Sequence, residues 1–296
     1  MEAKALAPLR IGFIGFGEAA FNIAKGLRAA GLTCIRAYDI SWDREPQGRL
    51  IRERADEAQV TLAGSLESLI RESDIVISTV QASVAVALAK ESAQWLRPGQ
   101  TYADLNSAGP LLKQQAAAVV SAAGALFVDG AIMGTVPGLG HAVPMLLCGD
   151  GAAGFADSLG PYGMRLTVLD GEPGRASASK LLRSVFMKGV VALLLETVIA
   201  GHEYDLEDDL LGSIAETFSA GPFLEVVNGL IARGVIHAER RAGEMNEVIS
   251  VLESLGVDAT MSVATREKLL RVAATGYKEH FGGVAPKDFH EIFQIG

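Results

Sequence analysis

The sequence predicts an α/β fold: a doubly wound parallel sheet followed by an all-α C-terminal half. Three observations point to it. Short β-rich runs alternate with helix-length segments as far as about residue 172, a glycine-rich turn separates the first strand from the first helix, and only helical patterns follow "GEPG" at 171–174. Alternation of this kind makes βαβ crossovers, and these bury a mostly parallel sheet on both faces.

In chain order, "RIGFIG" (10–15), "TCIRAYD" (33–39), "DIVISTV" (74–80), "TYADLN" (101–106), "ALFVDG" (125–130), "PMLLCGD" (144–150) and "RLTVLD" (165–170) read as strands. They are short, β-branched or aromatic, and bounded by turn residues. Between them "AAFNIAKGLRAAG" (19–31), "SLESLIRES" (65–73) and "LLKQQAAAVVSAAG" (111–124) read as helices, the first and last stopped by glycine. The second half reads as helices over 175–201, 205–218, 222–233, 235–255 and 259–275, with a short one from Lys287. Pro222 suits a first helical turn and Gly256 a stop. The domain boundary is expected at 172/173. The segment 185–201 is apolar nearly all round, so it should be buried between domains or between subunits.

Composition narrows the function. The chain has 296 residues, 49% apolar and 21% charged, enough for one large domain or two ordinary ones. A formal charge of −9 with no basic block argues against nucleic acid, although single Arg or Lys side chains remain able to meet a small anion. Cys34 and Cys148 lie far apart without metal-ligand spacing. They read as buried free thiols of a reducing compartment, and no metal site is expected. "MEAKALAPLR" lacks the apolar core of a signal peptide, and "GVVALLLETVIAG" (189–201) is interrupted by Glu196 and too short to span a bilayer. A soluble, cytoplasmic protein that makes no use of membranes is expected.

Gly15-Phe16-Gly17-Glu18-Ala19-Ala20 stands between the first strand and the first helix, the GxGxxG/A arrangement of a Rossmann-type dinucleotide site. Gly15 makes the tight turn, Gly17 admits backbone to a pyrophosphate, and Ala20 allows close helix–strand packing. The helix N-terminus then faces the phosphates. Asp39 follows Gly17 by 22 residues, at the end of the second strand. There a carboxylate accepts hydrogen bonds from the adenosine ribose and repels a 2′-phosphate, favouring NAD over NADP. The alternative is a strand-end Asp that only starts an Asx turn. Ser41 and Arg44, close behind, keep NADP open.

With these motifs the sequence resembles the β-hydroxyacid dehydrogenases, the family of 3-hydroxyisobutyrate and 6-phosphogluconate dehydrogenases. "GFIGFGEAA", "VISTVQ", "DLNSAGP" (104–110), "VDGAIMGT" (128–135) and "GEPGRASASKLLRS" (171–184) carry the resemblance, in the family's order. "HAERRAGEMNEV" looks like a branch whose C-terminal domain has no assigned function. The last of the five motifs matches the family's G-x-x-G-x-(G/A)-x-x-x-K pattern through Gly171, Gly174, Ala176 and Lys180. The resemblance therefore implies Lys180 as catalytic general acid/base. A helix N-terminus and the nearby Arg183 or Arg175 should lower its pKa, which serves that role. The plain alternative is a lysine snorkelling over the helix end.

The resemblance further implies Ser107 beside the nicotinamide and the substrate, and Val80 and Gln81 bordering the cofactor. Two departures stand out. The family's substrate loop reads D-x-P-V-S-G-G, and here it is Asp129-Gly-Ala-Ile-Met133-Gly134-Thr135; the family's Asn four residues after the lysine is Ser184. Met133, Gly134, Thr135 and Ser184 are thus the substrate-binding positions of a less polar pocket, to which Thr135 and His141 could supply replacement hydrogen bonds. His237, Arg240, Arg241 and Glu244 share helix faces at four-residue spacing and read equally as a salt-bridged surface or as a cationic approach to cofactor or substrate.

The expected function is an NAD(P)-dependent dehydrogenase acting on a CH–OH donor, a small hydroxy acid or related alcohol. Imine reduction on the same fold is the alternative, although imine reductases of this fold usually lack the lysine. A dinucleotide-sensing protein without turnover is a third reading. The apolar 185–201 helix predicts a homodimer formed mainly through residues after 180.

Overall fold

The computed structural model describes residues 8–294. Residues 1–7, most of the stretch read for a leader, lie outside it. The first half contains β1 (Arg10–Ile14), α1 (Glu18–Ala29), β2 (Cys34–Tyr38), α2 (Gln47–Glu57), β3 (Thr61–Leu62), α3 (Leu66–Arg71), β4 (Ile75–Ser78), α4 (Ala85–Ser92), β5 (Thr101–Asp104) and α5 (Pro110–Ala122). It continues with β6 (Leu126–Ile132), the single turn α6 (Val136–Leu139), β7 (Met145–Cys148), α7 (Ala152–Leu159) and β8 (Leu166–Val168).

One eight-stranded sheet results, in the order β3-β2-β1-β4-β5-β6-β7-β8. All neighbours are parallel except β6 and β7. The order reverses between β1 and β4, and in such sheets ligands bind outside the carboxyl ends of the strands at that point. The seven strands read from sequence are present. β3, α2, α4, α6 and α7 are additions. β3 is two residues long, and α2 is so polar that only Gly48, Ile51 and Ala55 are buried, which hides its helical stripe.

Alternation along the strands splits the core between the two faces. Ile11, Phe13, Ile75, Ile77 and Val128 pack beneath α1, α2 and α7, while Val76, Tyr102 and Phe127 pack beneath α3, α4 and α5. Cys148 is buried in β7, whereas Cys34 at the start of β2 is only half-buried, less than its apolar surroundings suggested.

The helical half contains α8 (Arg175–His202), α9 (Glu207–Ser219), α10 (Phe223–Ile236), α11 (Ala238–Ser254), α12 (Thr260–Ala273) and α13 (Tyr277–His280). His237 leaves the helical conformation and separates α10 from α11, where one helix over 235–255 was expected. The segment from Lys287 forms a 3-10 turn at Phe289–Gln294. By packing, the first compact unit runs to Ser184 and the second starts at Val185, inside α8. Within the second unit the Glu196 carboxylate accepts from the Met261 and Ser262 N–H groups at 2.7 and 2.9 Å, capping α12, and from the Ser262 hydroxyl.

α8 has no polar face, as expected, yet the single chain leaves much of it uncovered. Leu182, Val185 and Leu195 are 70%, 73% and 55% exposed. At 28 residues it is also longer than the apolar segment read from sequence, and among the described residues it is the one helix long and apolar enough to cross a membrane by length and composition. The reading that it was too short counted from Gly189, whereas the helix begins at Arg175.

Candidate functional site

The glycine turn leaves β1 with Gly15 at φ +81°, and its N–H donates to the Tyr38 carbonyl at 2.8 Å. A Cβ on Gly15 would stand 2.7 Å from the Thr79 carbonyl oxygen and 2.8 Å from Val80 Cγ1. Gly17 differs. A Cβ there meets nothing within 4 Å, and its φ of −74° suits any residue. Among the described residues nothing fills the space beside Gly17, which leaves the backbone there open to a ligand. Gly17 begins α1 without a side-chain cap, leaving the first helical N–H groups available to an anion. Glu18 is exposed and Ala19 half-exposed, whereas the Phe16 and Ala20 side chains are buried in the core, so these two serve the turn by shape.

Asp39 makes the Asx turn weighed for it and a second, longer-range bond. Its Oδ1 accepts from the Ser41 N–H at 2.9 Å, an Asx turn, and its Oδ2 accepts from the Phe16 N–H at 2.8 Å, which ties β2 to the glycine turn. Beside it lies a cleft of about 290 Å³ lined by Gly15, Tyr38, Ile40, Leu66, Val80 and Glu91, among others. Burial, and secondarily Glu91, push the Tyr38 phenol above its usual range.

Register builds the next part of the site. Ser78, Asp104, Asp129 and Cys148 are partners on β4, β5, β6 and β7, so their side chains form one buried row on the α5 side of the sheet. Lys113 on α5 meets that row, itself fully buried. Its Nζ donates to the Asp104 carbonyl at 2.5 Å and Oδ1 at 2.9 Å, and pairs with Asp129 Oδ1 at 3.3 Å. Asp129 Oδ2 accepts from the Gly174 and Ser177 N–H groups at 2.9 and 3.1 Å, capping α8 across the sheet. Cys148 donates toward Asp129 and the Glu172 carbonyl, both at 3.4 Å, and burial pushes its thiol up. Gly174, at φ +110°, lies so close to Pro110 that a Cβ would stand 3.1 Å from the proline ring.

These contacts fix two motifs against each other. On one side Asn106 donates to Ser78 Oγ at 3.0 Å and accepts from the Val80 N–H at 2.5 Å, so the loop after β5 is tied to the strand end beside Gly15. On the other side α8 starts at Asp129. Between them Lys180 Nζ donates to Ser107 Oγ at 2.8 Å. The structure thus brings Lys180, Ser107, Val80 and the glycine turn to one edge of the sheet; Gln81 is exposed at the start of the following turn.

The remaining sequence candidates divide. Gly134 and Thr135 are exposed on the loop after β6. Met133 packs with Ala131, Cys148 and Ala176 beneath the first turns of α8, so its side chain belongs to the support of the helix. Ser184 donates along the helix to the Lys180 carbonyl at 3.1 Å. A Cβ on Gly26 of α1 would stand 2.1 Å from His141 Nδ1, and one on Gly163 3.2 Å from Nε2, so the ring is wedged against α1. Arg175 donates to the Asp170 carbonyl at 2.7 Å. In the second unit Arg240 pairs with Glu244 on the surface, and His237 stands exposed at the start of α11. A larger cavity there, about 470 Å³, is mostly apolar, and its Glu196 and Ser262 already bond one another.

The sequence reading missed Lys113, Asp104, Asn106 and Asp129. A signal existed. Lys113, Ala116, Ala117 and Val120 are the buried stripe of α5, and a lysine in such a stripe needs an internal anion.

Known proteins share the domains and the fold. Residues 10–106 match the family model described as NADP oxidoreductase coenzyme F420-dependent, and residues 201–272 match DUF1932, a domain of unknown function. A conserved hypothetical protein from Sinorhizobium meliloti 1021 is 33% identical, with 98% of this chain and 96% of that one covered at a TM-score of 0.63. A conserved protein of unknown function, described as structurally similar to 3-hydroxyacid dehydrogenases, is 34% identical over 94% of this chain and 100% of its own, with a TM-score of 0.61. An imine reductase from Aspergillus terreus in complex with NADPH4 and dibenz[c,e]azepine shares the fold at 19% identity and a TM-score of 0.75, with 97% and 100% covered.

The two glycines of the turn should respond differently to substitution. Gly15→Ala is expected to lower stability by about 1–3 kcal/mol, from the left-handed backbone and the Thr79 carbonyl. Gly17→Ala should stay within about 0.5 kcal/mol of the parent protein. Urea unfolding midpoints with a common slope measure both, and equal losses would refute the distinction.

Proposed function

The chain belongs to the NAD(P)-dependent oxidoreductase family of 3-hydroxyacid-dehydrogenase-like proteins that carry DUF1932, and we propose that it moves a hydride between nicotinamide and a small hydroxy acid or related alcohol. The observation that carries this reading is the Lys180–Ser107 hydrogen bond of 2.8 Å. It joins the lysine to the loop that Asn106 ties to the glycine turn.

The residues present suit a dinucleotide: an open Gly17, an uncapped α1 and a cleft beside Asp39. When bound, the nicotinamide accepts or supplies the hydride. Protein side chains handle the proton. In oxidation the Lys180 amine takes the proton of the substrate hydroxyl as the C–H hydrogen leaves with its electron pair and C=O forms. In reduction the Lys180 ammonium returns that proton to the carbonyl oxygen. Ser107 accepts from Lys180 and fixes its direction. Gly134, Thr135 and Ser184 are the proposed substrate contacts, with Met133 supporting them from below.

Reduction of C=N at the same site is a second reading, favoured by the fold shared with the imine reductase. NADH formation or consumption over a panel of hydroxy acids, oxo acids and amine–carbonyl mixtures separates the two. No dinucleotide binding at all would refute both.

Lys180→Met keeps the apolar stem and removes the proton-transfer group. It should fold and bind NADH nearly normally, yet lose turnover on the order of a hundredfold or more. The pH profile should also lose one ionisation. Retention of more than about a tenth of the turnover would make the lysine architectural.

For the cofactor, the Asp39 carboxylate favours NADH over NADPH. Asp39→Ala should weaken both, because the Phe16 and Ser41 N–H groups lose their acceptor, but NADPH less. The ratio of the two Kd values should therefore narrow or reverse, by the roughly 1–3 kcal/mol of a charged hydrogen bond. Tighter NADPH binding by the unaltered protein would overturn the assignment.

The uncovered apolar surface of α8 is proposed to be buried by a second copy in a cytoplasmic homodimer. The membrane alternative would place Glu196, which caps α12, in hydrocarbon. Sedimentation at micromolar concentration without detergent should give a dimer; a monomer, or dependence on detergent, would refute it.

A further inference from the structure

We propose that Lys113, which touches neither substrate nor cofactor, is a positioning residue that sets the separation of Lys180 and Ser107. The inference rests on Lys180 as the proton-transfer group and adds what holds it.

Both halves of the Lys180–Ser107 contact trace back to one buried ammonium. Toward Ser107, Lys113 holds the Asp104 carbonyl and carboxylate, three residues before the serine, and the same Asp104 Oδ1 accepts from the Asn106 N–H at 2.8 Å. Toward Lys180, Lys113 pairs with Asp129, whose other oxygen receives the Gly174 and Ser177 N–H groups. Asp104 and Asp129 face each other in register on adjacent parallel strands. Two fully buried carboxylates side by side repel and are costly to ionise, so the cation between them decides their orientation. Among the described residues Asp129 Oδ1 has no hydrogen-bond donor and only the ion pair with this ammonium. Without Lys113, nothing turns Oδ2 toward the helix and Oδ1 away from it. The loop and the helix would then settle independently, and the 2.8 Å contact would be lost.

The test reads Lys180 directly and needs neither substrate nor cofactor. The full-length protein is treated with trace acetic anhydride, and acetylation of Lys180 is measured by mass spectrometry relative to the exposed Lys90. Ser107→Ala calibrates the loss of the contact and should raise the Lys180:Lys90 ratio about fivefold, the equivalent of one ordinary hydrogen bond. Lys113→Met alone leaves two carboxylates buried without a cation and is expected to fold poorly. The triple variant D104N/K113M/D129N replaces all three buried ions by neutral side chains of similar size and carries the test. Its fold is verified by near-ultraviolet circular dichroism. The expected result is a rise in the Lys180:Lys90 ratio that matches Ser107→Ala. An unchanged ratio, in the folded triple variant or in Ser107→Ala, overturns the proposal. A protein that shows the predicted ratios but neither binds NADH nor turns over substrate refutes the functional reading and leaves the positioning intact.

Discussion

One ammonium in the middle of the sheet's buried face organises the candidate site. Lys113 is fully buried, and burial of a charge is tolerable only where anions and carbonyl oxygens surround it. The sheet supplies them because parallel register sets Asp104 and Asp129 on the same side of neighbouring strands. Removing either partner strands a charge in the core, so the arrangement holds as a unit. The energetic value of such a triad lies less in net stability than in the single geometry it allows.

The same network bears on the electrostatics of α8. A helix start carries positive partial charge, which disfavours cations within its first turns. Arg175 falls in the first turn and Lys180 in the second. Asp129 opposes this field from inside the sheet by accepting the helix's own N–H groups, and Arg175 is drawn off toward the Asp170 carbonyl. The helix can therefore carry a lysine near its beginning without an acidic residue in its own first turn. This is a long-range cap, contributed by a strand some 45 residues earlier in the chain.

Much of this was legible in the sequence. The strand–helix rhythm, the Gly15 turn and the all-helical half follow from local periodicity, which is why the sheet appears where expected, although the second compact unit starts only at Val185. Lys180 and Ser107 were legible through motifs. Their contact was not, because it joins positions 73 apart. Asp129 was read within a strand and as the first residue of the substrate loop, but not as the acceptor for a helix start. That outcome depends on the antiparallel insertion of β7, which puts Cys148 opposite it. The packing of His141 was not legible, because nothing local reveals that Gly26 and Gly163 open space for its ring.

The boundary between compact units after Ser184 has a consequence for dissecting the molecule. The change of rhythm in the sequence falls near residue 172, and a fragment cut there would seem to preserve every strand. It would in fact remove Gly174 and Ser177, the groups that satisfy Asp129, and Ala176, which covers Cys148. The cut end would expose a carboxylate still paired with an ammonium in the core, and water would enter along the polar row. The sheet is thus not self-contained: its last structural member is the opening of the helix that follows it. A separable fragment has to carry that helix through its first two and a half turns, to Ser184.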